Sequence, residues 1–294
     1  MGYEFYIVDV FAEDKYAGNQ LGVFRNTNDL SDSEMQRIAK EMNYSETTFI
    51  LTDEEKDGGF DVRIFTPEEE LPFAGHPTLG TAFVIQQEIL KKPVEKIVLY
   101  LKVGQIPVTF GYKENRPDVL WMKQKPPVFG LEVDKGQMAQ SLNLDQNAFD
   151  ERFPIQEVST GIPFLIVPLK SLAYLNKAKV DYAKFLKSVE NVQAKAPLVF
   201  CPEAREIQND LSVRVFVDYY GIPEDPATGS ANGCLAGYLV KHRFFDQSRI
   251  DVRVEQGHEI GRPSLLYLKA EEIADDIDVF VGGRAIMVAK GTFV

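Results

Sequence analysis

Short segments in which apolar and polar residues alternate run through most of this chain, and this period of two predicts β-strands. Residues 3–11 form the first such segment, and residues 285–289 and 292–294 form the last, which we expect to return to the first half. Two other segments, residues 78–90 and 227–242, are apolar on nearly every face and rich in Gly and Ala. Helices of that kind must be buried, so we predict two central helices, each wrapped by strands.

Each of these two segments belongs to a copy of one short motif. The first copy reads His76-Pro77-Thr78-Leu79-Gly80-Thr81-Ala82, and the second reads Asp225-Pro226-Ala227-Thr228-Gly229-Ser230-Ala231. Aligned on the proline, both contain a polar residue, Pro, two further residues, Gly, a hydroxyl residue and Ala. The offset of 225 − 76 = 149 is close to half of 294 residues. The chain is therefore predicted to consist of two related halves, residues 1–116 with 282–294 and residues 117–281.

Both motifs have the composition of a helix N-terminus. His76 and Asp225 occupy the position expected for an N-cap, and proline follows at N1, where its missing N–H group is not needed. The free N–H groups and the positive end of the helix dipole would bind a small anion such as a carboxylate. If the halves face each other, two such sites meet in one cleft, with Ser230 and the N–H groups around Thr228 and Gly229 as the carboxylate clamp. The alternative is that Pro and Gly serve here only as caps and packing residues.

Charge and composition exclude several classes of partner. A formal net charge of −12 disfavours nucleic acid and anionic membrane surfaces, and no run approaches the ~18 apolar residues of a membrane span. The first residues lack the basic and apolar regions of a signal peptide. No motif for a metal or a nucleotide is present, and Cys201 and Cys234 read as buried packing residues. We expect a cytoplasmic protein that acts on a small molecule without a cofactor.

A capping box opens a shorter helix near the start of the chain. Ser31 and Glu34 have the spacing in which each side chain caps the other residue's backbone N–H group. The helix should run to about Glu41, with Ile38 and Met42 on its buried side.

Glu46 is the candidate acid or base of the first half. It stands at the start of a predicted strand, where a glutamate is more often a solvated surface residue. The matching region of the second half, residues 158–164, carries no ionisable side chain. Because a cofactor-free racemase generally needs a base on each face of its substrate, a single carboxylate favours an isomerase that returns the proton on the same face. An epimerase or racemase and a catalytically silent anion-binding protein of the same fold remain alternatives.

Two further side chains are candidates for chemistry. His76 at a helix N-terminus should stay neutral and act as a hydrogen-bond donor or proton relay, although it could simply cap its helix. The same dipole should hold Asp225 as a carboxylate, which suits a substrate ammonium or ring nitrogen. Gly75 would let the backbone approach a ligand closely.

These residues belong to a set of ordered motifs by which the chain resembles the PhzF-like family, named for the isomerase of phenazine biosynthesis. The motifs are Asp9-Val-Phe11 with Gly18-Asn19, Glu41-Met-Asn-Tyr-Ser-Glu46-Thr-Thr-Phe49, Arg63-Ile-Phe-Thr-Pro67 with Glu70-Leu-Pro-Phe-Ala-Gly75-His76-Pro77, Glu224-Asp225-Pro-Ala-Thr-Gly229-Ser230-Ala231, Gln256-Gly257 with Ile260-Gly-Arg-Pro-Ser264, and Gly282-Gly283. The resemblance implies an α/β (α+β) fold like that of diaminopimelate epimerase. Two pseudo-symmetric halves, each a curled and mostly antiparallel sheet around a central helix, would enclose the active site.

The resemblance also implies roles for individual residues. The family's catalytic residues fall on Glu46, His76 and Asp225. Substrate-binding positions fall on Gly75 and Ser230, and Thr228, Gly229 and Asn19 are candidates beside them. The implied reaction is isomerisation of a dihydro-hydroxyanthranilate, a small carboxylate, by a homodimer without a cofactor. The chain departs from the family pattern at Gln20 and around Asp218, Tyr219 and Tyr220, so the catalytic set transfers more firmly than the phenazine substrate.

Overall fold

The computed structural model describes residues 2–294, and the side chain of Tyr220 lies outside the described part. The chain divides into two compact units. The first runs to Met122 and is completed by Gly282–Val294, and the second is Lys123–Val281. The first division falls inside a strand, Arg116–Lys123, at whose start the sequence places the boundary between the halves.

The helices and strands have the following bounds. The first unit contains β1 (Tyr3–Val10), β2 (Asn19–Phe24), α1 (Asp32–Met42), β3 (Glu46–Ile50), β4 (Gly59–Phe65), β5 (Glu70–Leu71), α2 (Gly75–Val84), β6 (Lys96–Leu101), β7 (Gly104–Lys113), β8 (Arg116–Lys123) and, from the far end of the chain, β18 (Ala285–Phe293). The second contains β9 (Val128–Glu132), α3 (Lys135–Ser141), β10 (Gln156–Ser159), β11 (Pro163–Pro168), α4 (Leu172–Lys177), α5 (Tyr182–Ser188), β12 (Pro197–Cys201), β13 (Leu211–Val217), β14 (Ile222–Asp225), α6 (Gly229–Lys241), β15 (Arg249–Gln256), β16 (Ser264–Ile273) and β17 (Asp276–Gly283).

The first unit is a mostly antiparallel sheet. Its spatial order is β18-β1-β2-β3-β4-β6-β7-β8, and β5 lies beside β6 on the same edge of β4. Among these pairs of described strands, β2–β3 and β4–β6 are parallel and the others are antiparallel. The segment that we expected to return to this half is β18, which pairs along all of β1.

The second unit repeats the first seven strands of this order. Its order is β9-β10-β11-β12-β13-β15-β16, with the short strand β14 on the edge of β13. The parallel pairs are again the third and the fifth steps, β11–β12 and β13–β15. The repeat of two short motifs in the sequence therefore corresponds to a duplicated topology.

Each unit buries its central helix almost completely. In α2, every residue from His76 to Val84 is buried, and in α6 only Ser230 and Lys241 are not. A Cβ atom at Gly80 would lie 2.6 Å from Leu21 Cδ2 and 2.7 Å from a Val10 methyl carbon, so α2 packs against β1 and β2 at a distance that only glycine allows. Among the described residues, no helix is both long and apolar enough to cross a membrane.

The two central helices start elsewhere than the motifs suggest. The N-cap of α2 is Ala74, so His76 is the second helical residue, and α2 continues into a π-helical turn, Ile85–Leu90. The N-cap of α6 is Thr228, and Asp225 is the last residue of β14. The predicted N-cap roles of both residues are therefore wrong. Proline is tolerated anywhere in a first turn, and a residue before proline favours extended backbone, which suits Asp225 in a strand.

The predicted capping box of α1 is present. The Ser31 hydroxyl accepts from the Glu34 N–H group, and the Glu34 carboxylate accepts from the Ser31 N–H group. The fully buried residues of α1 are Met35 and Ala39, whereas Ile38 and Met42 are only partly buried. Ile38 and Met42 nevertheless pack against the core cluster that contains Met35 and Ala39, so they lie on the buried side of the helix as predicted.

A bidentate Arg–Glu pair recurs at the same place in both units. In the second unit, Arg214 on β13 donates from Nε and Nη2 to Glu224 on β14, at 2.9 and 2.7 Å. In the first, Arg63 on β4 donates from Nε and Nη2 to Glu70 on β5, at 2.8 and 2.6 Å. Each guanidinium also lies over the phenylalanine two residues later in its strand. Both pairs hold the short strand that leads into the central helix.

We predict that the pair in the second unit contributes more to stability. Both of its side chains are only 9% exposed, and removing one partner of a buried pair typically costs about 3–5 kcal/mol. Arg214→Met should lose stability of that order. Arg63→Met should lose less, because Glu70 keeps an ion pair with Lys102 at 2.6 Å and the pair is more exposed. Urea denaturation of both variants measures the difference.

The double variant Arg214→Met/Glu224→Met is the control, since removing both charges should recover part of the loss. If Arg214→Met and Arg63→Met lost the same stability, burial would not be the reason for the larger contribution predicted for the Arg214–Glu224 pair.

Candidate functional site

The candidate site of the first unit lies where three chain segments begin. Strands β2 and β3 are parallel, with Leu21 opposite Glu46, so their N-terminal ends lie at one edge of the sheet. Helix α2 packs on both strands and begins at Gly75. This arrangement brings Asn19, Glu46, Gly75 and His76 to the same edge of the first unit.

A tight turn at Gly18 places the start of β2 at this edge. Gly18 has a φ angle of +67°, and a Cβ atom there would lie 2.3 Å from the Val10 carbonyl oxygen. No other residue fits this turn, which explains the Gly18-Asn19 pair in the sequence. Asn19 follows as the first residue of β2 and is 2% exposed.

Glu46 and His76 form a close pair of side chains. The distance from Glu46 Oε2 to His76 Nε2 is 3.5 Å, with side-chain exposures of 17% and 6%. The same Nε2 atom lies 3.3 Å from the Gln20 carbonyl oxygen. Because a carbonyl oxygen only accepts, Nε2 carries the hydrogen and donates it to Gln20. The imidazole is therefore held in one tautomer.

His76 is neutral at physiological pH. Its burial disfavours the imidazolium and lowers the pKa to about 3, and the hydrogen bond to the Gln20 carbonyl opposes the shift only in part. Glu46 thus has an N–H dipole as its neighbour rather than a cation.

The second unit has no carboxylate at the position equivalent to Glu46. Glu46 begins β3 and pairs with the third residue of the preceding parallel strand. In the second unit, Pro197 begins β12 and pairs with Leu165, the third residue of β11. The counterpart of Glu46 is therefore Pro197. The prediction that residues 158–164 match the region of Glu46 is wrong, because those residues lie on other strands and in the turn between them. Pro197 has no ionisable side chain, so the asymmetry between the units remains.

Asp225 in the second unit is held by the residues around it. Thr228 Oγ1 donates to Asp225 Oδ2 at 2.5 Å. The Thr228 N–H group donates to Gln256 Oε1 at 3.2 Å. Both polar groups of Thr228 thus bond within the second unit, and its N–H group does not point freely out of the helix as the predicted carboxylate clamp requires. Gly229 and Ser230 follow as the first two residues of α6, with Ser230 partly exposed.

Gln256 was not predicted as a residue of the candidate site. This residue ends β15, is 1% exposed and bonds to residues at the start of α6. In the sequence it is a polar residue at the end of an alternating segment, in the Gln256-Gly257 motif that the chain shares with the PhzF-like family. The contact joins residues 28 positions apart, and local patterns do not reveal it.

The remaining candidate groups are structural. Cys201 and Cys234 are buried free thiols, and burial raises the pKa of each to about 11. His242 Nε2 lies 2.8 Å from Gln156 Oε1 at the far end of α6, and His258 lies beside Glu255. Within residues 2–294, no group of three or more His, Cys, Asp or Glu side chains is arranged to hold a metal ion.

Known proteins are similar to this chain in both sequence and fold. The sequence model of the family described as phenazine biosynthesis-like protein matches residues 8–291. A trans-2,3-dihydro-3-hydroxyanthranilate isomerase of Pseudomonas aeruginosa is 33% identical over 98% of each chain. The crystal structure of a phenazine biosynthesis protein of the PhzF family from Bacillus anthracis superposes with a TM-score of 0.91 and 26% identity, over 100% of this chain and 99% of that one.

The likeness of fold extends to epimerase-like enzymes. A probable proline racemase from Agrobacterium radiobacter gives a TM-score of 0.64 at 9% identity, over 99% of this chain and 93% of that one. The fold is thus the mixed α/β, epimerase-like fold that the resemblance implies. With the family model covering nearly the whole length and a named isomerase one-third identical to it, the chain belongs to the phenazine biosynthesis-like family and is an isomerase.

Proposed function

We propose that the chain is a cofactor-independent isomerase that shifts a proton within a small amino- or hydroxy-carboxylate, with Glu46 as its single acid and base. The observation that carries the proposal is the Glu46–His76 pair, a shielded carboxylate 3.5 Å from a neutral imidazole. The relative named trans-2,3-dihydro-3-hydroxyanthranilate isomerase supplies the first substrate class to test.

Glu46 moves one proton in two steps. As a carboxylate, it accepts a proton from a substrate carbon, and the electrons of the broken C–H bond shift into the neighbouring double bond. As the resulting carboxylic acid, it returns the proton to a second carbon on the same face. One C–H bond breaks and one forms, so the reaction needs no oxidant, reductant or second base.

His76 supports this step as a dipole. Its Nε2–H group donates to the Gln20 carbonyl oxygen and lies 3.5 Å from Glu46 Oε2, so it presents a dipole and no formal charge to the carboxylate. An imidazolium at this position would attract the anion more strongly and make it a weaker base. Burial of the ring keeps it neutral, so His76 does not become a cationic neighbour of Glu46.

The other candidate residues act in binding. Asp225 suits a substrate ammonium or ring nitrogen, since it accepts hydrogen bonds as a carboxylate. The N-terminus of α6 at Gly229 and Ser230 suits the substrate carboxylate, because N–H groups and the helix dipole favour an anion there. Gly75 and Asn19 flank Glu46 and are proposed to contact the substrate beside it.

Two observations argue against an epimerase or racemase. The strand start equivalent to Glu46 carries Pro197, which cannot act as a base. The two cysteines of the chain, Cys201 and Cys234, are buried and have raised pKa values, which disfavours a thiolate as a second base.

We predict that Glu46→Gln abolishes proton transfer. The amide has the same shape but cannot accept a proton, and loss of a general base typically costs about 10²- to 10⁴-fold in rate. The measurement follows trans-2,3-dihydro-3-hydroxyanthranilate in D2O by NMR, scoring deuterium at the new carbon and the rate of isomerisation.

Glu41→Gln is the matched control, because Glu41 is an exposed residue of α1 five positions earlier. It should leave the rate unchanged. The base assignment fails if Glu46→Gln isomerises within a few-fold of the parent, and deuterium incorporation with inversion at one carbon would indicate an epimerase.

We also predict that His76 keeps one neutral tautomer from pH 8 to pH 5, because its pKa lies near 3. Long-range ¹H–¹⁵N correlation spectra should show a protonated Nε2 and a bare Nδ1 throughout, with His76→Gln identifying the signals. Since the unfolded ring titrates near 6.5, the unfolded chain binds more protons between about pH 3 and 6.5. This residue therefore lowers stability as the pH falls through that window. A midpoint near 6.5 in the folded protein would refute the dipole role.

A further inference from the structure

The side-chain amide of Gln256 is saturated with hydrogen bonds around the start of α6. Its Oε1 accepts from the Thr228 N–H group at 3.2 Å and from Asn232 Nδ2 at 2.9 Å. Its Nε2 donates to the Asp225 carbonyl oxygen at 2.8 Å and to Thr228 Oγ1 at 3.0 Å. The Gln256 side chain, which is 1% exposed, thus makes four hydrogen bonds, all to Asp225, Thr228 and Asn232.

Backbone groups determine which way this amide faces. The Asp225 carbonyl can only accept, so the atom beside it must be the nitrogen. The Thr228 N–H group can only donate, so the atom beside it must be the oxygen. The two backbone contacts agree, and the amide has one orientation.

This orientation fixes the hydroxyl group of Thr228. Its oxygen already accepts from Gln256 Nε2, so its own hydrogen is directed to the remaining neighbour, Asp225 Oδ2 at 2.5 Å. A chain of donors therefore runs from Gln256 through Thr228 to the Asp225 carboxylate.

The backbone of Asp225 is held independently. The preceding residue, Glu224, forms the buried bidentate pair with Arg214, and Gln256 holds the Asp225 carbonyl. The backbone of Asp225 is thus fixed on both sides, and the Thr228 hydroxyl holds its side-chain carboxylate.

We propose that Gln256 is a positioning residue that, through the Thr228 hydroxyl, locks the Asp225 carboxylate in one rotamer. The inference rests on the proposed function, in which Asp225 binds the substrate. Thr228 accordingly acts on Asp225 rather than on the substrate.

Four variants test the chain of donors. Thr228→Val removes the hydroxyl at nearly constant volume, and Thr228→Ser keeps it. Gln256→Leu removes the amide. Gln156→Leu is the matched control, because Gln156 also donates its amide to a backbone carbonyl, that of Gly130, but sits by His242 at the opposite end of α6.

The expected pattern in kcat/KM separates positioning from general destabilisation. Thr228→Val and Gln256→Leu should each lose about 10- to 100-fold, the scale of a small misplacement of a reacting group. Thr228→Ser should recover most of the loss, and Gln156→Leu should have no effect. The double variant Thr228→Val/Gln256→Leu should be little worse than the worse single variant, because both break one chain. Melting temperatures of all variants are measured alongside.

A second readout needs no substrate. Three-bond couplings from Asp225 ¹³Cγ to its backbone ¹⁵N and ¹³C′ atoms report the χ1 rotamer. They should indicate one rotamer in the parent and in Thr228→Ser, and averaging in Thr228→Val and Gln256→Leu. If Gln256→Leu does not fold, Thr228→Val with its serine rescue carries the test.

The two proposals fail in different ways. The proposed function is overturned if the parent protein does not isomerise the substrate, or if Glu46→Gln still isomerises it. In either case the rotamer couplings of Asp225 alone decide whether Gln256 has the positioning role. An active parent with parent-like rates in Thr228→Val, or a single unchanged rotamer in that variant, overturns the positioning role.

Discussion

The candidate site depends on the parallel pairing of two strands beside a buried helix. Parallel neighbours start at the same edge of a sheet, so residues at their N-terminal ends meet there. In the first unit these ends are Asn19 and Glu46, and α2 adds His76 at its own start. The same pairing in the second unit brings Pro163 and Pro197 to the corresponding edge. One architecture thus carries a carboxylate in one copy and a proline in the other.

Burial then decides what the neighbouring groups are able to do. The buried histidine of α2 stays neutral and donates to the backbone of β2, so it brings no cationic charge to Glu46, whose Oε2 atom is 3.5 Å away. Asp225 has a different environment. The Thr228 hydroxyl donates to its carboxylate, the Gln256 amide donates to its carbonyl oxygen, and the Arg214–Glu224 ion pair holds the residue before it. In both units the polar groups beside the key carboxylate are oriented by backbone atoms, which side-chain motion does not disturb.

Local sequence patterns predicted much of this structure. The repeated motif, the two all-apolar helices and the capping box at Ser31 each depend on neighbouring residues, and the structure bears these features out. The start of each central helix was misjudged because proline is compatible with several positions near a helix start. The counterpart of Glu46 emerged only from strand register, and Gln256 only from a contact between distant residues. Such features arise from tertiary packing, which no local pattern encodes.

The pairing of β18 with β1 has a consequence for the order of folding. Tyr3 lies opposite Phe293, so the first sheet receives an outer strand made some 280 residues after its neighbour. The second unit is continuous in sequence and its strands are all synthesised before β18 emerges from the ribosome. Because domains generally fold as their segments become available, the unit that begins first is completed last. Until then β1 exposes an unpaired edge, the kind of surface that chaperones protect.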